Sequence, residues 1–490
     1  MISVNTTQPE QLLAKQFIEL WVKIANCSSS QRASAKTPNT DFIKRIEVAL
    51  QENSAQNPLN LINQLLIGNT ASNPIERGNI LAIMRVMDDM FYLIHPRAVI
   101  APKFRPHLPD WLLQLQGAYF LSGHYGCNEK HSLIPRGPLL RMPREESAAN
   151  AENLADRFVA LAVVELKHNH NGRDISIQHK IISSDTARGV PSGAKIGAET
   201  VAFIPIAEEK DHLETIETKI SDQMFVDFRI NSGLNSAELL FNALVQAGSV
   251  DIAIAPEMVV SEDHADDLAN KLLNYKGITL SRIIIAGSGA TKATDQEGMP
   301  WNETRIFNGR GHELWRQRKI WPAGLDAKRV KDLNLSKIDS NKMMLEYNAA
   351  GNEIFIVDVD GLGRCIVLIC QDIQAEPVSK EIIRQFQPDW VFSPILDPGI
   401  EKYKWVHQRI FSLCGEAQTR FLVASSTALN YWFNPTKNGA CGFAHGPKKS
   451  STLDDEGRSY TIANVEGDAS PGYAKVIWRS KNGWQITTFS

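Results

Sequence analysis

Cysteine is scarce in this sequence: six among 490 residues, at 27, 127, 365, 370, 414 and 441, with no Cys-x-x-Cys pair and no dense cluster. That spacing argues against a disulfide framework and fits a reducing compartment. Long apolar runs are also missing. None approaches the ~18 to 20 residues that a membrane-crossing helix needs. The first twenty residues lack a basic start followed by an apolar core and a small-residue cleavage site, so the expectation is a cytoplasmic protein with no membrane segment. An excess of one charge is absent too: 52 Lys and Arg stand against 55 Asp and Glu, net -3, which argues against nucleic acid or an anionic membrane as partner. No repeat of roughly 20 to 50 residues is visible, which argues against solenoids and propellers.

What is present is ordinary globular composition, 43% hydrophobic and 22% charged. At roughly 100 to 200 residues per domain the chain has room for two or three. Leu13, Phe17, Leu20, Trp21 and Ile24 fall on one helical stripe, and further helical patterns run through Phe42 to Leu50, Leu59 to Ile67 and Ile80 to Ile94. Residues 1–150 are therefore expected to form a mainly helical N-terminal domain. Residues 151–198 read as a linker or a region without assignment. From 199 to 490 short β-branched runs alternate with amphipathic stretches, as in TVAFIPIA (200–207), NSAELLFNALVQAG (235–248) and VDIAIAP (250–256), which is α/β texture.

Three strand ends in this second half carry reactive side chains. Glu257 follows VDIAIAP, where a carboxylate leaving a buried strand can be desolvated toward the pKa of a general base. Cys370 ends RCIVLIC, whereas Cys365 sits mid-strand as a small core residue. Lys319 precedes Ile320, Trp321 and Pro322, neighbours that suit a cation held in a cleft. Each alone has a bland reading: a strand-end carboxylate is usually a cap, a buried thiol is usually packing, and a lysine is usually on the surface.

Together these stretches resemble the nitrilase, or carbon–nitrogen hydrolase, superfamily. APE (255–257) is similar to its catalytic Glu motif, NETRIFNGRGHELWRQRKIWP (302–322) to the strand pair that delivers its Lys, and GLGRCIVLICQDIQAEP (361–377) to its Cys motif, in the family's order. The resemblance implies an α/β fold, a nitrilase-like αββα sandwich preceded by the helical domain. It also implies a triad of Glu257, Lys319 and Cys370 that hydrolyses a non-peptide C–N bond, an amide or a nitrile, through a thioester or thioimidate, with no cofactor and no metal. Loss of Glu257 or Lys319 is expected to cost rate with little effect on stability. An accessory acid would be Glu346 or Asp326. Gln371, Asp372 and Trp321 would line the pocket, although Gln371 stands where an aromatic is common and Glu376-Pro377 reverses the usual order. A small-molecule substrate and a homo-oligomer are implied as well. A rival reading makes the protein regulatory or an effector, with a protein partner docked on the N-terminal domain, which is larger than the family needs.

Other signals are weak. His124, Cys127 and His131, with His168 and His170, lack the paired cysteines of structural zinc. GSGA (287–290) lacks the lysine and the glycine spacing of phosphate loops and reads as the turn after a core strand.

Overall fold

The computed structural model describes residues 9–96, 107–137, 154–184, 189–190, 197–278, 280–336, 338, 342–433, 440–448, 457–465 and 471–487. Two compact units emerge, one built on residues 1–168 with 179–181 and 385–387, the other on the remainder.

In the first unit the apolar stripe read from the sequence lies on the helix Pro9–Ala25 and buries Leu13, Phe17, Leu20 and Ile24, with Trp21 packed at the margin. Asn39 and Asn73 cap the helices Thr40–Leu50 and Pro74–Tyr92, each accepting from backbone N–H groups of the first turn. The helix Asp110–Ser122 had no sequence signal, because DWLLQLQGAYFLS is apolar on nearly every face. A three-stranded sheet, Gly126–Cys127, His131–Pro135 and Leu161–Glu165, completes the unit. The stretch 151–198, expected as a linker, departs from that expectation. Leu161–Glu165 and Arg173–Ile182 are strands, the first with four buried residues in succession, and only 151–153, 185–188 and 191–196 of it lie outside the described residues.

One side chain ties helix to sheet here. Asp88, fully buried in the helix Pro74–Tyr92, accepts from the backbone N–H groups of Val159, Ala160 and Leu161 at 2.8–2.9 Å.

The second unit is layered. A seven-stranded sheet runs in the order Glu313–Arg318, Pro300–Asn308, Ser281–Thr294, Val250–Ile254, Thr200–Phe203, Ala474–Arg479, Gly483–Ile486. An eight-stranded sheet runs Arg458–Asn464, Ala440–Pro447, Arg420–Ser425, Trp390–Ile395, Gly363–Val367, Glu353–Val359, then the two strands flanking Asn171. Strands parallel to both neighbours, such as Val250–Ile254, are buried on both faces, which is why their sequences are continuous apolar runs. The sheets meet face to face. Arg420 of one pairs with Glu199 at the foot of the other at 2.9 Å, its guanidinium 3.6 Å from the centre of the Trp390 ring and 4.6 Å from that of Trp478. The helices Ser236–Ala247 and Glu262–Asn274 cover the outer face of the seven-stranded sheet, and Trp405–Leu413 lies on the outer face of the other. A small four-stranded sheet carries Met344–Glu346 beside Gln223–Ile230.

Replacing Asp88 with Ala leaves three buried N–H groups without an acceptor. The expected outcome is a loss of at least about 3 kcal/mol in the unfolding transition of the first unit, read by calorimetry on the full chain.

Candidate active site

The three strand ends converge. Val250–Ile254 emerges through Ala255 and Pro256 to Glu257, which is 0% exposed. The loop can turn there because Gly287 has φ +82° and no Cβ. A Cβ would stand 2.4 Å from the Pro256 carbonyl oxygen, which instead accepts from Ser288 N at 3.0 Å. GSGA is thus a bulge within the long strand Ser281–Thr294, at a register shift between Ile285 and Ser288, and not the turn after it. Lys319, also 0% exposed, continues the ladder of Glu313–Arg318: its N–H donates to Asn302 O at 2.8 Å. Its carbonyl accepts from Gly351 N at 2.8 Å, an approach that a side chain at 351 would block.

Cys370 does not end its strand. Pairing stops at Val367, and Cys370 opens a short 3-10 turn, Cys370–Gln374, with φ +47°. A non-glycine residue in the left-handed region costs roughly 1 to 3 kcal/mol and persists only where its surroundings impose it. Cys370 is 8% exposed.

Around these residues the hydrogen bonds form one network. Lys319 Nζ donates to Glu257 Oε1 at 2.8 Å and, at closer range, to Glu346 Oε2. Glu257 further accepts from Asn302 Nδ2 at 2.9 Å and from Leu396 N at 3.0 Å. Glu346 accepts from Ala323 N at 2.8 Å and Asn348 Nδ2 at 3.2 Å. Of the two accessory candidates, then, Glu346 is brought to the lysine. Asp326 is exposed and caps the helix Ala327–Asp332, accepting from Arg329 N at 2.7 Å.

Electrostatics follow from burial. Desolvation, reinforced by the Glu346 charge, raises Glu257 above the ordinary carboxylate range, although Lys319 and the Cys370 thiol pull it down. Burial alone would lower Lys319, but Glu257, Glu346 and Cys370 outweigh it and hold the ammonium well above its usual value. Burial and the Glu257 charge push the Cys370 thiol far up. The resting group is therefore a thiol, which needs a base at the moment of attack. The expectation that loss of Lys319 spares stability is corrected by this geometry, since removing the cation leaves two buried carboxylates facing each other, a defect of roughly 3 to 5 kcal/mol.

Asp372, expected in the pocket lining, is a clamp. Its Oδ1 accepts from Ile320 N at 3.0 Å and Trp321 N at 2.9 Å, and its Oδ2 from Ile369 N at 3.1 Å, so one carboxyl joins the lysine strand to the cysteine turn. Gln371 and Trp321 are partly exposed, with Trp321 edge-on to His170 at 4.9 Å. Sequence reasoning missed Asn348 and the ion pair of Arg329 with Asp397 at 2.9 Å, whose carboxylate adds to the negative field at Cys370. Neither carries a signal beyond its residue type. Among the described residues no group of three His, Cys, Asp or Glu is arranged to hold a metal.

Burial pushes Asp372 up to about 7 against the pull of its three N–H donors and Lys319. A carboxyl whose folded pKa exceeds its unfolded value makes the protein lose stability as pH rises between the two. Asp372→Asn removes that slope. Its single carbonyl oxygen serves only one of the two segments, so the variant is expected to be less stable than wild type at pH 5 and the deficit to shrink by pH 7, measured by urea unfolding at both.

No protein-family model matches the chain, and no curated protein matches its sequence. Solved structures similar to it include Nit3 of Saccharomyces cerevisiae, a member of branch 10 of the nitrilase superfamily, at 14% identity over 58% of this chain and 92% of that one, TM-score 0.33. The NitFhit protein of C. elegans is similar at 15% identity over 57% and 60%, TM-score 0.35. An amidase from Nesterenkonia sp. is similar at 12% identity over 60% and 93%, TM-score 0.34.

Proposed function

We propose that this protein is a cysteine-dependent carbon–nitrogen hydrolase acting on a small amide or nitrile. The observation that carries the reading is the fully buried Lys319 ammonium, shared by Glu257 and Glu346 beside the Cys370 thiol. A purely structural ion pair has no use for a second carboxylate and a strained, slightly exposed thiol. The layering of helix, sheet, sheet and helix agrees with the αββα arrangement that the sequence resemblance implies.

For an amide the steps are as follows. Glu257 takes the thiol proton as Sγ bonds to the carbonyl carbon, and Lys319 stabilises the oxygen that becomes negative. The tetrahedral intermediate collapses, the C–N bond breaks, and Glu257 returns its proton to the departing nitrogen, leaving a thioester on Cys370. Water then attacks the thioester carbon, Glu257 accepting its proton. The C–S bond breaks, and the proton goes back to the thiolate as the acid leaves. Glu346 holds Lys319 in place from the side opposite Glu257 and keeps it charged. Because attack and proton transfer are coupled, the high thiol pKa does not prevent reaction; it keeps the resting sulfur unreactive toward solvent electrophiles.

Intact-protein mass spectrometry after incubation with amides, ureas and nitriles is expected to show an acyl or imidoyl adduct that vanishes in Cys370→Ala and survives in Cys365→Ala. Retention of the adduct in Cys370→Ala would sink the assignment. Glu257→Gln and Lys319→Met should each lower turnover by at least ~10²-fold. The reaction needs ionised Glu257, whose pKa is raised, so kcat/KM should fall with acid along a limb lying above the ordinary carboxylate value of 4.5. A limb at or below that value would contradict Glu257 as the base.

A further inference from the structure

Two buried amides in this site use only half of their hydrogen-bonding capacity. Asn302, 1% exposed, gives Nδ2 to Glu257, and Asn348, 5% exposed, gives Nδ2 to Glu346. Those bonds fix the amide orientation, since a turned-over amide would set carbonyl oxygen against carboxylate oxygen. Each Oδ1 is then about 2.3 Å from a nitrogen already bonded to a site carboxylate, and so lies within about 5 Å of that carboxylate whichever way it points. No donor among the described residues reaches either oxygen. Buried carbonyl oxygens without a donor are uncommon and destabilising, and two in one cluster call for a donor that arrives from outside.

The two amides are also held side by side. Trp301 and Ala349 form a parallel bridge, and Ala349 N donates to Pro300 O at 2.8 Å, so the segments bearing Asn302 and Asn348 cannot drift apart. Their carboxylates share one ammonium. The obvious resident donors are already engaged, Lys319 by both carboxylates and the backbone N–H groups of Ala323 and Leu396 by one each. What remains is the substrate. A primary amide brings two N–H donors on the nitrogen that leaves, and ammonia carries three. A nitrile brings none, and its nitrogen lone pair would face two further lone pairs.

We propose that the side-chain carbonyl oxygens of Asn302 and Asn348 accept the N–H groups of the scissile amide and of the departing ammonia, so that this site selects primary amides over nitriles. The inference rests on Cys370 as nucleophile, and it assigns to two asparagines the choice between substrate classes that the triad serves alike. They act as specificity residues toward substrate nitrogen as well as positioning residues for the two carboxylates.

The test uses iodoacetamide and iodoacetonitrile on the full chain, because both alkylate a thiol by the same displacement: a C–S bond forms, the C–I bond breaks, iodide leaves and the thiol proton passes to the base. One reagent presents an NH2 group and the other a bare nitrile nitrogen. Rates at Cys370 are followed by peptide mass spectrometry and expressed as an amide-to-nitrile ratio relative to the ratio for N-acetylcysteine. The expected result is a relative ratio of at least tenfold, falling toward one in Asn348→Leu and Asn302→Leu. A merely positioning role would slow both reagents equally and leave the ratio unchanged. A wild-type ratio equal to that of the free thiol overturns the inference whether or not the variants fold, and so does a raised ratio that neither variant moves. Absence of any Cys370 adduct with both reagents would instead overturn the assignment of the nucleophile.

Discussion

The Lys319 ammonium reaches two carboxylates while presenting no surface of its own to water. Taking three charges out of solvent is costly, and their attraction compensates only if every oxygen and proton is placed. Much of the second unit can be read as the means of placing them. Gly287 and its bulge let the Pro256–Glu257 loop come close, Gly351 lets a chain segment lie against the Lys319 carbonyl, and Leu396 and Ala323 each supply a backbone N–H to a carboxylate. The Asp372 carboxyl spans the remaining gap, between the lysine strand and the cysteine turn. The negative charge left over after pairing has a chemical effect, because it keeps the neighbouring sulfur protonated until a substrate is in position.

How much of this was legible follows from where each signal resides. Glu257 and Cys370 were visible because a polar side chain follows an unbroken apolar strand, a local pattern that burial produces. Lys319 was visible by its apolar neighbours, and the order of the three motifs added what no single one had. The choice between Glu346 and Asp326 was not legible. It depends on the pairing of Met344–Glu346 with Gln223–Ile230, about 120 residues upstream, and both candidates are acids in polar surroundings. Asp372 was placed in the pocket because it neighbours the cysteine in sequence, whereas its role lies in three backbone bonds that sequence does not display. The GSGA segment misled for a related reason: bulge and turn use the same glycines and differ only in what pairs across from them.

The first unit shows a different limit. Its longest helices follow the 3.6-residue period and could be read directly. Asp110–Ser122 could not, because Leu113, Phe120 and Leu121 lie exposed while Trp111, Leu112, Leu115 and Tyr119 are buried, and apolar residues on both sides erase the period. Its sheet was hidden for another reason. Strands of two to five residues are too short to show alternation, and Leu161–Glu165 is buried along most of its length.

The separations along the chain within the Lys319 cluster also bear on time. Its two carboxylate partners are 62 and 27 residues away, and Asp372 clamps a segment 52 residues distant. Contacts that close such long loops form late, after local helices and hairpins, and topologies rich in them fold slowly. A nascent chain passes through a stage in which strands already pair but the ammonium has no partners and the thiol lies open. During that interval Cys370 is an ordinary accessible thiol, so the sulfur is more vulnerable to oxidation while the protein is being made than at any later point in its life.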